Sequence, residues 1–487
     1  MSDLEERVVA QVEKKLFIGG AWQEAAAGGT FEVEDPSTGT ALCEISDATD
    51  VDGLAALAAA HNAQPSWGKV APRERGEILR KGYELLMERQ EELATLMTLE
   101  MGKPLSEAKG EIAYAADFFR WFSEEAVRIE GGFATAPNGQ SRFLIMRQPV
   151  GPSVLITPWN FPMAMGTRKI GPAIAAGCTM ILKPAQQTPL CALALAGILR
   201  EAGLPEGVLS VLPTTNAGGL TEPLLRDGRI RKLSFTGSTG VGRKLLEQSS
   251  EHVLRTSLEL GGNAPFLVFD DADMDAAVDG AMLAKMRNIG EACTAANRIY
   301  VQSGVAEEFA DRLSRRMGEL RVGRGVEEGV DVGPLIDEKA RDKVQSLVDD
   351  AVGKGARVLV GGGRGSSAGH FYQPTVLSGV PHDAEMSDTE IFGPVAPVSS
   401  FETEEEALRL ANDTEYGLVS YVYTTDLNRA FRVSEALEAG MVGLNQGVVS
   451  NPAAPFGGIK QSGLGREGGD VGIDEFLEYK YVGVGGV

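Results

Sequence analysis

Two short segments hold the reactive side chains around which the chain is organised. SLELGGN, residues 257–263, places Glu259 in an apolar run that stops at a glycine pair, and GEACTAANR, residues 290–298, places Cys293 between small residues. A thiol nucleophile needs open space beside it, and a carboxylate among apolar residues has a raised pKa that suits a general base. The pair predicts thiol attack followed by carboxylate-assisted hydrolysis, although a lone cysteine is more often a small buried hydrophobe.

The composition is that of a large globular enzyme. The 487 residues are too many for one hydrophobic core, which predicts two large domains, and 43% of them are hydrophobic. A formal net charge of -22 disfavours nonspecific binding to nucleic acid or to an anionic membrane. Because no apolar run reaches the ~20 residues of a membrane span and the N-terminus lacks an apolar signal segment, we expect a cytoplasmic protein without a membrane partner.

The cysteines predict neither a metal centre nor a disulfide framework. Four cysteines in 487 residues are too dilute for a disulfide-stabilised scaffold. Their spacing matches no zinc motif, and the four histidines are scattered along the chain. We therefore expect no metal ligands.

Strands and helices alternate through most of the chain. Apolar runs at 154–156, 179–182, 208–212 and 232–235 each precede a helical segment, and the pattern begins again at residue 264. Alternation at this spacing predicts an α/β fold with parallel, doubly wound sheets. Before it, short strands are expected over Lys15 to Ser46 and helices over Asp50 to Ile129, with Val51, Leu54, Leu57 and Ala58 on one apolar face. On the last of these helices we expect a row of aromatic residues to pack in the core or at an interface rather than to form a binding site: Tyr114, Phe118, Phe119, Trp121 and Phe122. In the second half, a helix is expected from Asp273 to Ile289.

A glycine-rich turn, GSTGVG at residues 237–242, follows one of the predicted strands and precedes a helix. Such a turn offers backbone N–H groups and a helix N-terminus to a phosphate. It is not a Walker P-loop, because Arg243 and Lys244 follow it, and it differs from the usual G-x-G-x-x-G pattern. Taken alone, the turn leaves dinucleotide binding and a plain strand–helix connection open.

In combination these segments resemble the signature blocks of the aldehyde dehydrogenase superfamily. TPWNFP at residues 157–162, KPA at 183–185 and EIFGP at 390–394 extend the match, which runs from about Lys15 to Tyr481. The resemblance implies two doubly wound, Rossmann-like α/β domains and a small β oligomerisation arm. The implied boundaries are 1–130 and 151–263 for the dinucleotide-binding domain, 264–468 for the catalytic domain, and 131–150 and 469–487 for the arm. The arm implies a homodimer or a homotetramer.

The resemblance also implies the catalytic roles. Cys293 attacks the aldehyde carbon, the side-chain amide of Asn160 stabilises the oxyanion, and Glu259 activates water to hydrolyse the thioester. Where some relatives have a second cysteine able to form a redox-switch disulfide, this chain has Ala295, so we expect no such switch. The usual glutamine two residues before the nucleophile is Glu291, whose charge is expected to raise the pKa of the thiol slightly.

For the cofactor, the resemblance implies a nicotinamide dinucleotide. Where strongly NAD-preferring relatives often have a glutamate three residues after Lys183, this chain has Gln186, which removes a repulsion toward a 2′-phosphate. We therefore expect NADP to be preferred and NAD to be usable, unless Gln186 points to solvent. The matching cofactor positions are Trp159, Asn160, Lys183, Gln186, Gly237, Ser238, Leu260 and Glu390.

Within the superfamily, the chain most resembles succinate-semialdehyde dehydrogenases, notably in MGTRK at 165–169, MRN at 286–288 and GVVSN at 447–451. That resemblance implies a small aldehyde with a distal carboxylate as substrate. The carboxylate would be held by two arginines and a serine, which here are Arg168, Arg287 and Ser450, unless either arginine forms a structural ion pair instead. Glutarate semialdehyde as substrate, a CoA-acylating relative and a non-catalytic homologue are the alternatives.

Overall fold

The computed structural model describes residues 2–365 and 368–485. Residue 1 of the predicted dinucleotide-binding domain, residues 366 and 367 of the predicted catalytic domain and residues 486 and 487 of the predicted arm therefore lie outside the described residues. No described helix has both the length and the apolar character required to cross a bilayer.

The helices are α1 (Asp3–Gln11), α2 (Asp50–Trp67), α3 (Pro72–Glu88), α4 (Gln90–Met101), α5 (Leu105–Glu125), α6 (Ala164–Ala176), α7 (Pro189–Glu201), α8 (Ala217–Leu225), α9 (Thr239–Ser249), α10 (Met274–Met286), α11 (Ala306–Gly318), α12 (Glu338–Gly353), α13 (Glu385–Asp388), α14 (Glu404–Asn412) and α15 (Leu427–Ala436).

The strands are β1 (Leu16–Ile18), β2 (Ala21–Gln23), β3 (Thr30–Asp35), β4 (Thr40–Ser46), β5 (Gly132–Thr135), β6 (Ser141–Pro149), β7 (Ser153–Ile156), β8 (Met180–Lys183), β9 (Leu209–Val211), β10 (Lys232–Thr236), β11 (Arg255–Glu259), β12 (Ala264–Val268), β13 (Ala296–Gln302), β14 (Arg357–Val360), β15 (Thr375–Ser378), β16 (Val395–Phe401), β17 (Val419–Tyr423), β18 (Met441–Leu444), β19 (Gly463–Leu464) and β20 (Leu477–Gly485).

The first large sheet has the strand order β19-β11-β10-β7-β8-β9-β1-β2. Strands β11, β10, β7, β8 and β9 run parallel, and the strands at both edges are antiparallel. Alternate side chains enter two separate cores, since Leu155 and Leu182 pack with α3, α5, α6 and α7, whereas Val154 and Ile181 pack with α2 and α8. Helices therefore cover both faces, and the predicted α/β fold is confirmed.

The second large sheet has the order β14-β15-β16-β13-β12-β17-β18, with only β14 antiparallel. Phe266 and Ile299 pack into one core and Leu267 and Tyr300 into another, so this sheet is also covered on both faces. Strand β19 pairs with β11 of the first sheet although it lies in the range predicted for the catalytic domain. The domain boundaries themselves stay a prediction.

A separate three-stranded sheet has the order β20-β6-β5. The pairing between β20 and β6 runs antiparallel from Leu477 opposite Pro149 to Gly485 opposite Ser141. The two segments that the sequence assigned to one arm, far apart in the chain, are thus hydrogen-bonded to each other.

The parallel strands of the first sheet end side by side at the predicted site. In the register, Ile156 lies opposite Lys183, and Thr236 lies opposite Glu259. The TPWN segment, the KPA segment, the glycine-rich turn and the glycine pair after Glu259 all leave the sheet at this edge. Ligands of open parallel sheets bind outside the carboxyl ends of the strands, which is where the sequence placed the cofactor.

Two local predictions were wrong. The helix expected to run from Asp273 to Ile289 ends at Met286, because Asn288 and Ile289 adopt left-handed backbone conformations with φ of 56° and 62°. On α2, Val51 and Leu54 were expected to share the apolar face with Leu57, but they are 59% and 39% exposed, because the helix packs through Leu57 and small residues on the other side.

We predict that Phe119→Ala destabilises the protein by about 3–5 kcal/mol, the usual penalty for emptying a buried aromatic site. The ring is fully buried between α3 and α6, close to the backbone of Gly82 and Gly171. A lower urea midpoint would reveal the loss. Phe431→Ala, which removes a phenylalanine that is 62% exposed on α15, serves as the control and should leave the midpoint almost unchanged. Equal shifts in the two variants would contradict the assignment of this core.

Candidate active site

A cavity of about 320 Å³ lies at the carboxyl ends of the first sheet, and residues from both large sheets and their connections line it. Seven of the residues that the sequence selected line it together: Trp159, Asn160, Gly237, Ser238, Leu260, Cys293 and Glu390. Lys183, Gln186, Glu259, Arg168, Arg287 and Ser450 are not part of this lining, and their positions are described in turn below.

Cys293 lies in the loop between α10 and β13, directly after a strained turn. Asn288, Ile289 and Gly290 are three consecutive left-handed residues, which is unfavourable for a β-branched isoleucine. Hydrogen bonds hold the turn, since the backbone N–H of Asn288 donates to Glu107 Oε2 at 2.7 Å and its side-chain amide donates to two carbonyl oxygens. Gly262 leaves room for the backbone carbonyl of Cys293, which a Cβ at that position would strike.

The Cys293 side chain is partly exposed, yet its surroundings favour the neutral thiol. The pKa of Cys293 is raised to about 12, chiefly by burial of the sulfur and also by the carboxylates of Glu390 and Glu259, against the opposing charges of Arg168 and Arg287. Because the acid form is favoured, the thiol holds its proton near neutral pH. A base must accept that proton when the sulfur attacks.

Asn160 is held in place by three hydrogen bonds. Its Nδ2 donates to the backbone oxygen of Glu291 at 2.9 Å, and its own backbone oxygen accepts from Lys103 Nζ at 2.8 Å and from Asn288 Nδ2 at 3.0 Å. Lys103 is itself fully buried and paired with Glu111. A preorganised amide beside the sulfur is the arrangement that stabilises a developing oxyanion.

Glu259 ends strand β11 and is only 4% exposed. Its Oε2 has no hydrogen-bond partner among residues 2–365 and 368–485. Burial raises the pKa of Glu259 well above its usual value, the nearby charge of Glu467 raises it further, and Arg168 and Lys169 oppose this rise. A higher pKa makes the ionised carboxylate a stronger base, and its free oxygen can then accept a proton from water.

Glu467 connects the base to the substrate side of the site, a role that sequence reasoning missed. Its Oε2 lies 3.2 Å from Arg168 Nε, and its Oε1 accepts from Lys169 Nζ at 2.5 Å. Lys169 also donates to Ser234 on β10 at 3.1 Å. Glu467 lies in a loop-rich segment 298 positions after Lys169, and nothing local marks it.

Arg168 therefore has the structural ion pair that the sequence left open. Besides Glu467, the guanidinium group faces the ring of Phe456 at 3.9 Å and that of Phe118 at 5.3 Å. Only its terminal nitrogens point elsewhere, Nη1 toward Met165 Sδ at 3.6 Å and Nη2 toward Tyr114 Oη at 3.3 Å. The same group is close enough to Cys293 to lower the pKa of the thiol.

Arg287 and Ser450 meet as the sequence expected, although they come from distant segments. Arg287 Nη1 donates to Ser450 Oγ at 3.2 Å, and its guanidinium lies 5.0 Å from the ring of Phe161 and 5.8 Å from that of Tyr114. Arg287 is half-buried and forms no ion pair within the described residues. Its positive charge is therefore available to an anion.

Glu390 also lines the cavity, beside the glycine pair that follows Glu259. Its Oε1 accepts from the backbone N–H of Gly262 at 3.2 Å, and burial raises its pKa to about 7. Phe392, two residues later, has a left-handed φ of 55° that turns the loop, and its ring packs edge-on against Trp159 at 5.4 Å. Lys343 of α12 also lines the cavity and was not selected from the sequence.

Lys183 and Gln186 lie outside the lining of the cavity. Lys183 is 8% exposed, and burial lowers its pKa to about 8, whereas the side chain of Gln186 is exposed. Because Gln186 is exposed, the alternative that it points to solvent and does not select the cofactor stays open.

Glu291, which the sequence predicted to raise the pKa of the thiol slightly, is not among the largest charge influences on Cys293. Its side chain is fully buried, its Oε1 accepts from the backbone N–H of Ile336 at 3.1 Å, and burial raises its pKa well above the usual value. The charges that shift the pKa of Cys293 come instead from Arg168, Glu390, Glu259 and Arg287.

The Gly237–Gly242 turn offers a place for a phosphate. Ser238 precedes α9 without a side-chain hydrogen bond to the first turn of that helix, so the N–H groups there have no side-chain cap. A helix N-terminus of this kind binds anions through its N–H groups and its dipole. With Trp159, Leu260 and Glu390 in the same cavity, these residues fit a dinucleotide.

Comparisons with known proteins agree with this geometry. The model of the aldehyde dehydrogenase family matches residues 22–482. A succinate-semialdehyde dehydrogenase of Paenarthrobacter nicotinovorans is 57% identical over 91% of this chain and 98% of its own length. A glutarate-semialdehyde dehydrogenase of Pseudomonas aeruginosa is 51% identical over 97% of this chain and 98% of its own.

A solved structure described as an E. coli NADP-dependent enzyme superposes with a TM-score of 0.96, at 51% identity, over 97% of this chain and 98% of that one. The family model spans both large sheets, and the relatives match over almost their full lengths. Together with a cysteine, a buried glutamate and an anchored amide around one cavity, these matches show that the chain belongs to the aldehyde dehydrogenase family.

Proposed function

We propose that the protein oxidises succinate semialdehyde to succinate with NADP or NAD. The observation that carries the substrate assignment is the pair Arg287–Ser450, in contact at 3.2 Å, with a guanidinium group close enough to shift the pKa of Cys293. A cation at that position attracts a carboxylate at the far end of a short aldehyde and so fixes its carbonyl relative to the sulfur. The name of the relative in Paenarthrobacter nicotinovorans supports the same substrate.

In this proposal the chain's own residues carry the covalent steps. The Cys293 thiol gives its proton to solvent water as its sulfur adds to the aldehyde carbon, and the Asn160 amide donates to the oxygen that becomes negative. A dinucleotide held at the site would supply the hydride acceptor, and loss of that hydride from the carbon bonded to Cys293 would leave an acyl group on the sulfur as a thioester. Glu259 then removes a proton from water, the water oxygen bonds to the acyl carbon, and the carbon–sulfur bond breaks to release the acid and the thiol.

The dinucleotide site is proposed for the turn before α9 and its neighbours. The first-turn N–H groups after Ser238 would receive the diphosphate, Trp159 and Leu260 would pack against the cofactor, and Glu390 would hold a ribose hydroxyl. For the adenosine end we propose Lys183, with Gln186 beside it and NADP preferred, since a neutral side chain does not repel a 2′-phosphate.

Glutarate semialdehyde is the second candidate substrate, and the name of the Pseudomonas aeruginosa relative favours it. It has the same two functional groups as succinate semialdehyde and one more methylene. A single methylene changes discrimination by only ~1–3 kcal/mol, so both aldehydes fit the same clamp.

We also propose that β6 and β20, with β5, form an arm that joins protomers into a homodimer or homotetramer, while the two large sheets serve as the dinucleotide-binding and catalytic domains. Three aromatic side chains on the arm are unusually exposed, Phe133 at 70% and Tyr479 and Tyr481 at 68% each. Exposed aromatic residues on an edge of a sheet favour burial against another surface.

The chemistry is tested by two variants at the reactive side chains. Cys293→Ala should abolish NADPH formation because no thioester forms. Glu259→Gln should give a burst of at most one NADPH per active site and then very slow turnover, because the thioester forms but water is not activated. Rapid-mixing absorbance at the NADPH band measures both, and binding of NADP, followed by tryptophan fluorescence, should be retained. Steady turnover by Cys293→Ala would contradict the mechanism.

The carboxylate clamp is tested by Arg287→Ala. We expect KM for succinate semialdehyde to rise about tenfold to a hundredfold, because a charge-assisted hydrogen bond to the carboxylate is lost, while KM for butanal changes little. Steady-state kinetics with both aldehydes gives the comparison. Arg315→Ala, at an exposed arginine of α11, is the control for loss of one positive charge. An equal rise for both aldehydes would count against the clamp.

The cofactor preference is tested by Gln186→Glu. A carboxylate near Lys183 should repel a 2′-phosphate, so kcat/KM with NADP should fall about tenfold or more relative to kcat/KM with NAD. Gln187→Glu adds the same charge one position along the chain and should leave the ratio almost unchanged. If Gln186→Glu leaves the ratio of the two cofactors unaltered, this position does not select the cofactor.

A further inference from the structure

We propose that Tyr114 is an additional substrate-binding residue, whose hydroxyl donates a hydrogen bond to the distal carboxylate and so favours carboxylated aldehydes over uncharged ones. This inference rests on the proposed function, and it concerns a residue whose place in the row of aromatic side chains on α5 predicted only a role in the core.

Tyr114 lies near both arginines that the resemblance assigned to the substrate carboxylate. Its Oη lies 3.3 Å from Arg168 Nη2, and its ring lies 5.8 Å from the guanidinium carbon of Arg287. Its neighbours Phe118, Phe119 and Phe122 on the same helix are fully buried, whereas Tyr114 is only half-buried. The phenol is therefore at the boundary between the apolar core and the charged end of the site.

The hydrogen bond to Arg168 leaves the phenolic proton free. A guanidinium has only donors, so Tyr114 Oη is the acceptor in this contact. A tyrosine hydroxyl can also donate one hydrogen bond, and Tyr114 donates to no other group within the described residues. The unused donor is on a hydroxyl in contact with Arg168, and the ring that carries it lies near Arg287, which has no ion pair within the described residues.

Arg168 cannot easily replace this donor. Glu467 holds its Nε at 3.2 Å, and the ring of Phe456 covers one face at 3.9 Å. The guanidinium is thus fixed in the protein and partly neutralised by Glu467, and it presents only its terminal nitrogens. Tyr114 Oη is already in contact with one of those nitrogens, so a carboxylate that approaches Arg168 meets the hydroxyl as well.

The ring of Tyr114 is also fixed, which makes the position of the hydroxyl definite. It packs edge-on against Phe118 with the ring centres 5.0 Å apart, and Phe118 in turn faces Arg168 at 5.3 Å. A rigid phenol loses little conformational entropy when it binds a ligand, so most of its hydrogen-bond energy contributes to affinity.

The experiment compares wild type with Tyr114→Phe, which removes the hydroxyl and keeps the ring. We expect kcat/KM for succinate semialdehyde to fall about tenfold to a hundredfold, mainly through KM, because a hydrogen bond to a charged group is lost. For butanal, kcat/KM should stay within about twofold of wild type, because butanal has no carboxylate. Thermal unfolding of the variant establishes that it is folded.

The matched control is Tyr83→Phe. Tyr83 is also half-buried, and its ring also packs near an arginine, Arg120, at 5.7 Å, on the outer side of α3 and α5. Removal of the Tyr83 hydroxyl should leave kcat/KM unchanged for both succinate semialdehyde and butanal.

The outcomes separate the two proposals. A selective loss with succinate semialdehyde in Tyr114→Phe supports the role of the hydroxyl. An equal loss with both aldehydes, or no loss, overturns this role while the wild-type preference for succinate semialdehyde still upholds the proposed function. A wild-type enzyme that uses butanal as efficiently as succinate semialdehyde overturns the proposed function, and with it the inference about Tyr114.

Discussion

The site depends on the ion pairs of one buried carboxylate, Glu467. A charge removed from water must be paired, and Glu467 has a cation on each oxygen, Arg168 and Lys169. This arrangement fixes Arg168 in the substrate region and brings a negative charge next to Glu259, whose pKa it helps to raise. One carboxylate thus contacts Arg168, which we propose lies near the substrate, and influences the pKa of Glu259, the proposed base.

A second constraint is the strained backbone before the nucleophile. Three left-handed residues end α10 early and turn the chain so that Arg287 faces Ser450 while Cys293, six positions later, faces the cavity. Such strain persists only where the surroundings over-determine it. Here Glu107 holds the backbone of Asn288, and the Asn288 amide donates to the carbonyls of Asn160 and Glu291, so the same bonds that hold the turn also position Asn160.

The sequence predicted what local patterns encode. Alternating apolar runs specify strands and helices, and family-like segments marked Asn160, Cys293 and Glu390, which line one cavity. It could not identify the partner of Arg168, because Glu467 is remote in the chain. It also could not locate the end of α10, because the left-handed backbone of Asn288 and Ile289 does not alter the pattern of apolar residues. Tyr114 fits the core pattern of its helix, and only the tertiary structure reveals which groups oppose its hydroxyl.

The contacts of Glu291 show how a carboxyl group can occupy a position where the resemblance implies a glutamine. In its neutral form a carboxyl retains the acceptor oxygen of a glutamine, and Oε1 of Glu291 uses it to accept from Ile336. Ile336 and Lys343 both line the cavity, so this bond connects the loop that carries Cys293 to that part of the lining. Full burial raises the pKa of Glu291 well above its ordinary value, because the charged form loses its hydration there, and so favours the neutral acid at this position.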